Sequence, residues 1–220
     1  MMFPRSMTDT ANGRGRRWGL LTAAAGVLAT FAFVVTGITH PGLGADQSAR
    51  AHDLAGNVVI PEESDFSDVV PVPAEVGELV IPRTGLRVEI AALRETDHVI
   101  NPPGFDKAYW VQNRGVGVAQ ASAGTVFIAM HSLRDGGVGP GNYLIDVEHR
   151  RSKLQVGDEV FVGSAKYRVK ATDAIEKNRL AQAESVWDET PGKLVLVTCM
   201  QRPEGGASLQ NMVIEAQLQS

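Results

Sequence analysis

One cysteine, Cys199, occurs in 220 residues, so no internal disulfide can form and no zinc site can be built on paired thiols. The chain also lacks Cys-x-x-Cys and His-x-x-x-His pairs, a twelve-residue calcium loop, Gly-x-Gly-x-x-Gly and any phosphate-loop pattern. These absences exclude the common metal and nucleotide sites, and neither a metal nor a cofactor is expected. No internal repeat is visible, and helical periodicity is weak. No Asp, Glu, Lys or Arg lies between Trp18 and His40.

That uncharged interval holds a long apolar run. Gly19 to Ile38 supplies 20 mostly apolar positions, which as a helix span roughly 30 Å, the thickness of a bilayer core. Arg14, Arg16 and Arg17 precede it with no matching basic cluster just after it. The positive-inside rule therefore predicts a cytoplasmic segment over 1–17 and a membrane anchor over 18–39, with the remainder outside the cell membrane. A cleaved signal peptide is the competing reading, since Gly42, Gly44 and Ala45 are small enough for a peptidase. An apolar region of roughly 7 to 15 residues would then be usual, however.

The formal charge of −4 hides an asymmetry. Without residues 1–39, which hold Arg5, Arg14, Arg16, Arg17 and Asp9, the chain has 17 basic against 24 acidic residues, a net of −7. No basic cluster remains to follow a phosphate backbone, and nucleic acid is not an expected partner. Residues 40–75 carry Pro61, Pro71, Pro73 and the mutually repelling Glu62, Glu63, Asp65 and Asp68, a composition that reads as an extended stalk.

From Val76 onward the pattern becomes short β-type runs with Gly and Pro punctuation. Residues 78–82, 86–90, 125–130, 154–162, 166–170, 193–198 and 212–218 read as strands, with one short helix near 179–186 and a turn near 105–109. Seven or eight such strands predict an all-β domain over 76–220, closed or nearly closed as a barrel.

Cys199 ends the run Lys193-Leu-Val-Leu-Val-Thr, where a side chain can leave the wall beside a loop. An ordinary thiol is only a few per cent ionised at neutral pH and needs a neighbouring base or cation to act as a nucleophile. Of five histidines, His131 closes an apolar strand and enters the loop Ser132-Leu-Arg-Asp-Gly-Gly137. A titratable ring at one strand exit and a thiol at another suit a catalytic pair assembled by folding. A third group must steady the oxyanion formed when a thiolate attacks an amide; Arg202 and Arg134, each three residues from one member of the pair, are candidates.

Leu194-Val-Leu-Val-Thr-Cys199 resembles the Thr-Leu-x-Thr-Cys signature of sortases, membrane-anchored cysteine transpeptidases of Gram-positive bacteria. Ile128-Ala-Met-His131 resembles the strand that delivers their histidine. Asn101-Pro-Pro-Gly104 through Tyr109-Trp110, Val156-Gly-Asp-Glu159 and Asn211-Met-Val-Ile-Glu-Ala216 resemble further stretches of that family. The resemblance implies an eight-stranded sortase-type β-barrel in which Cys199 attacks the Thr-Gly amide of a C-terminal sorting signal such as Leu-Pro-x-Thr-Gly. It further implies that His131 shuttles the proton and that an amine of a peptidoglycan precursor or a pilin lysine resolves the acyl-thioester. The family's arginine at the start of the last strand is replaced here by Asn211, so Arg202, a cation that would stabilise both thiolate and oxyanion, is the expected donor, with Asn211 as the alternative. The flavour is closest to the class E and F enzymes of actinobacteria. Two other readings compete: an L,D-transpeptidase-like wall enzyme, and a non-catalytic adhesion or scaffold module with a structural cysteine.

Overall fold

The computed structural model describes residues 51–55, 58–59, 69–70, 76–96 and 99–220. The expected cytoplasmic segment, the expected anchor and most of the expected stalk lie outside the described residues.

Eight strands build the domain: β1 (Glu78–Ile81), β2 (Leu86–Leu93), β3 (Ala108–Gly115), β4 (Thr125–Ala129), β5 (Glu159–Val162), β6 (Ala165–Glu176), β7 (Lys193–Met200) and β8 (Gln210–Leu218). Their order is β2, β1, β5, β6, β8, β7, β4, β3, and a β3 to β2 pairing closes the ring. Closure leaves no long edge to recruit another chain. Two junctions are parallel, β2 with β3 and β4 with β7; the rest are antiparallel. The predicted all-β barrel is therefore present, with α1 (Lys177–Leu180) and α2 (Glu184–Trp187) where one short helix was expected.

Alternation along the strands gives the barrel two apolar surfaces. Leu79, Ile81, Leu86, Ile90, Val126, Ile128, Val160, Tyr167, Leu194, Leu196, Met212 and Ile214 belong to one buried cluster drawn from all around the ring, which is the barrel interior. Residues of opposite phase, Phe127, Val195 and Val213, form a second cluster with Tyr109, Val111, Leu180 and Val186 beneath the α1–α2 segment. Trp187 anchors that segment. Its ring packs 5.6 Å from Phe127, its indole N–H donates to the Leu180 carbonyl at 2.6 Å, and Arg114 lies 4.7 Å above it. Truncating an interior residue such as Leu196 to Ala would cost about 2 to 5 kcal/mol.

Two strands depart from their sequence patterns. Ala108–Gly115, expected to be a turn in its first part, is a full strand. β6 runs six residues past Lys170 because a bulge between Val169 and Ala171 shifts its register on β8. An extra residue reverses the in-out phase, so the alternation that marks a strand is interrupted there.

Within the segment expected to be a stalk, the described residues make specific contacts. Ala51–His52 pairs with Val58–Val59, and Val69–Val70 pairs with Leu93 and Ala92 of β2. The buried Asp53 accepts hydrogen bonds from the amides of Val138 (2.8 Å) and Ala55 (2.9 Å), and the Leu54 amide donates to the Val138 carbonyl at 2.9 Å.

Candidate active site

Strand register assembles the site. In the parallel β4–β7 ladder Ala129 pairs with Val197, and the Met130 amide adds a further bond to the Val197 carbonyl at 3.0 Å. His131 is two residues beyond Ala129 and Cys199 two beyond Val197. Met130 and Met200 turn into the interior cluster, so Cys199 has the outward phase on β7 and His131 follows directly after the end of β4, in the same phase. On the other side of Cys199, the antiparallel β7–β8 ladder pairs it directly with Asn211. Paired residues share a face, so Cys199 and Asn211 stand side by side on β7 and β8, with His131 just past the end of β4. They continue the stripe of Phe127, Val195 and Val213 past the cover of α1 and α2.

Cys199 is half-buried rather than sealed in hydrocarbon. His131 is half-buried as well. Its Nε2 lies 2.8 Å from the Pro102 carbonyl and its ring 4.9 Å from that of Phe105. A carbonyl can only accept, so Nε2 carries a proton and Nδ1 is left for proton exchange. Burial holds the imidazole below its ordinary range; the Pro102 carbonyl opposes this in part, and the Lys177 charge adds to the lowering. The ring is thus neutral in its resting state.

The loop after His131 is tightly bonded. Asn142 Oδ1 accepts from the amides of Leu133 (2.7 Å) and Gly139 (2.8 Å), while its Nδ2 donates to the Leu133 carbonyl at 2.8 Å. The Gly141 amide donates to the His131 carbonyl at 2.8 Å. A Cβ at Gly141 would run into Thr198 Oγ1 and approach the His131 carbonyl oxygen to 2.8 Å, so no other residue fits there without displacing β7 or the histidine.

The two candidates for the third role are placed differently. Asn211 faces Cys199 across the ladder. Arg202 lies in the β7–β8 loop, where Nε and an amino nitrogen reach Glu204 Oε1 at 2.8 and 2.6 Å. Glu204 is held below the ordinary carboxylate range by its own backbone amide first and by Arg202 second. Arg134 is directed to Asp135, with Nε 3.4 Å from the carboxylate. Motif reading gave no role to Pro102, Asn142 or Gly141: Pro102 and Gly141 act through backbone atoms, and Asn142 through a side-chain amide that bonds only its own loop.

No protein-family model matches the chain, and no curated protein sequence does. Solved structures do match. The pilus-related sortase C of Group B Streptococcus is 14% identical over 78% of this chain and 80% of its own, with a TM-score of 0.50. Sortase A of Listeria monocytogenes is 19% identical over 67% and 89% of the two chains (TM-score 0.47), and a lid mutant of Corynebacterium diphtheriae sortase A is 12% identical over 69% and 73% (TM-score 0.48). At such identities the likeness is one of architecture: the chain has the sortase-type eight-stranded barrel.

Proposed function

We propose that the protein is a sortase-type cysteine transpeptidase; the observation that supports this reading is the register that pairs Cys199 with Asn211 and ends the β4–β7 ladder at Ala129 and Val197, two residues before His131 and Cys199. The substrate would be a secreted protein bearing a C-terminal Leu-Pro-x-Thr-Gly-like signal. Cys199 gives its thiol proton to Nδ1 of His131, and the sulfur attacks the threonine carbonyl. Asn211, facing the sulfur, donates to the oxyanion as a neutral group. The tetrahedral intermediate collapses with cleavage of the Thr-Gly bond, and the Nδ1 proton passes to the departing glycine amine. The acyl-thioester is then attacked by an amine of a peptidoglycan precursor or a pilin lysine; His131 takes that amine's proton and the thiol is released.

Arg202 is turned to Glu204 through Nε and one amino nitrogen, whereas Asn211 is paired with Cys199 in the ladder, which favours Asn211. The run Gly19 to Ile38 supports an N-terminal anchor with the catalytic domain outside the cell membrane. The residues quoted above support a class E or F affinity.

The test is to incubate the full chain with a Leu-Pro-x-Thr-Gly peptide and a short amine, and separately with a muropeptide stem. Cleavage between Thr and Gly with transfer to the amine is expected. Cleavage of the stem alone would instead favour an L,D-transpeptidase-like enzyme.

A further inference from the structure

Beyond Met130 and Val197 the regular parallel ladder stops, at the point where His131 and Cys199 must stay side by side. Continued by two residues, it would place the Ser132 amide on the Cys199 carbonyl. The His131 loop turns away instead, its carbonyl taken by the Gly141 amide. The Ser132 hydroxyl fills the gap, donating to the Cys199 carbonyl at 2.6 Å. From the other strand end, Gln201 Nε2 donates to the Ser132 carbonyl at 2.8 Å and to the Ser132 hydroxyl oxygen at 3.0 Å. Both side chains are enclosed, Ser132 at 5% and Gln201 at 8% exposure, so water competes little for these bonds.

We propose that Ser132 and Gln201 are positioning residues that clasp the ends of β4 and β7 and so set the spacing of His131 and Cys199. The inference rests on the catalytic reading of that pair. Neither residue touches the reacting atoms: Ser132 follows the histidine in sequence and holds the backbone of the cysteine, and Gln201 holds Ser132. A serine in a loop and a glutamine after a strand are ordinary in sequence; their meaning comes from three bonds that cross between the two strand ends. Displacing a reacting group by about 1 Å can cost on the order of a hundredfold in rate.

The test uses the full chain and one probe, iodoacetamide, with the native-state alkylation rate of Cys199 as readout. If His131 activates the thiol, His131→Ala slows alkylation by roughly tenfold. Ser132→Ala and Gln201→Met should then each slow it several-fold, Ser132→Thr, which keeps the hydroxyl, should restore most of the rate, and Ser132→Ala added to His131→Ala should have no further effect. That absorption separates positioning from a general loss of structure, whose effects would multiply. Wild-type rates in Ser132→Ala and Gln201→Met beside a slow His131→Ala would overturn the clasp and leave the catalytic pair standing. So would multiplying effects. An unaltered rate in His131→Ala would overturn the pair itself, and the clasp with it. If Ser132→Ala does not fold, Gln201→Met and its double variant with His131→Ala decide the same question.

Discussion

The two sides of Cys199 are built differently. Toward β4, His131 is enclosed by Pro102 and Phe105, and its loop is cross-bonded by Asn142 and Gly141. Toward β8 and the loop after Cys199, Asn211 stands opposite Cys199 in the ladder, and the loop holds Gly205 and Gly206 in the left-handed region with Leu209 exposed. A proton shuttle must keep one nitrogen within reach of sulfur and amine through two half-reactions, which suits the rigid side. An oxyanion donor need only meet a transient charge, and the open side leaves room for a peptide to enter.

The comparison can be broken at several points. The largest effect is expected at the pair itself: Cys199→Ala and His131→Ala should each abolish peptide turnover, Cys199→Ala with the thermal midpoint nearly unchanged and His131→Ala with a modest drop from the lost Pro102 bond and Phe105 contact. Retained turnover in either would refute the mechanism. On the open side, Asn211→Ala should cost on the order of 10² to 10³ in kcat, and Arg202→Ala much less; the reverse order in steady-state kinetics would move the donor role to Arg202.

On the rigid side, Asn142→Ala removes three hydrogen bonds and should lower unfolding stability by about 2 to 3 kcal/mol in urea titration. An equally conservative change in the open loop, such as Ser208→Ala, should cost less than about 1 kcal/mol. Equal costs would erase the distinction between the two sides.

The smallest effect concerns pH. The fold holds His131 neutral, whereas the unfolded chain binds a proton near the ordinary value of 6.5. Unfolding therefore takes up a proton in acid, so stability should fall as pH drops through 6.5 and should be unaffected by this group well above it. Thermal melts from about pH 7.5 to about pH 5 should show a shallower decline in His131→Asn than in the wild type. Parallel declines would mean that the ring is not held neutral by its enclosure.

Much of the barrel was legible because period-two alternation is a direct imprint of a two-faced wall, as in Leu86-Arg-Val-Glu-Ile90. It failed where that imprint is disturbed. In β3 the run Ala-Tyr-Trp-Val is apolar on both phases because Ala108 joins the interior cluster while Tyr109 and Val111 join the outer one. In β6 the bulge after Val169 resets the phase. Cys199 stands out in the sequence because it is the chain's one cysteine, and His131 because among five histidines it follows an apolar strand. Their supports do not: the Pro102 carbonyl, the hydrogen at Gly141 and the Ser132 hydroxyl matter only through where the backbone carries them. Asn211 was visible as an alternative, and its standing directly across from Cys199 is a matter of register that no motif encodes.

The most direct measurement is the intact mass of the full chain after brief incubation with a Leu-Pro-x-Thr-Gly peptide. The account predicts an increase equal to the peptide acyl group through threonine, lost on treatment with hydroxylamine and missing from Cys199→Ala. An unmodified mass, together with a Cys199 thiol that reacts with iodoacetamide only after denaturation, would contradict it.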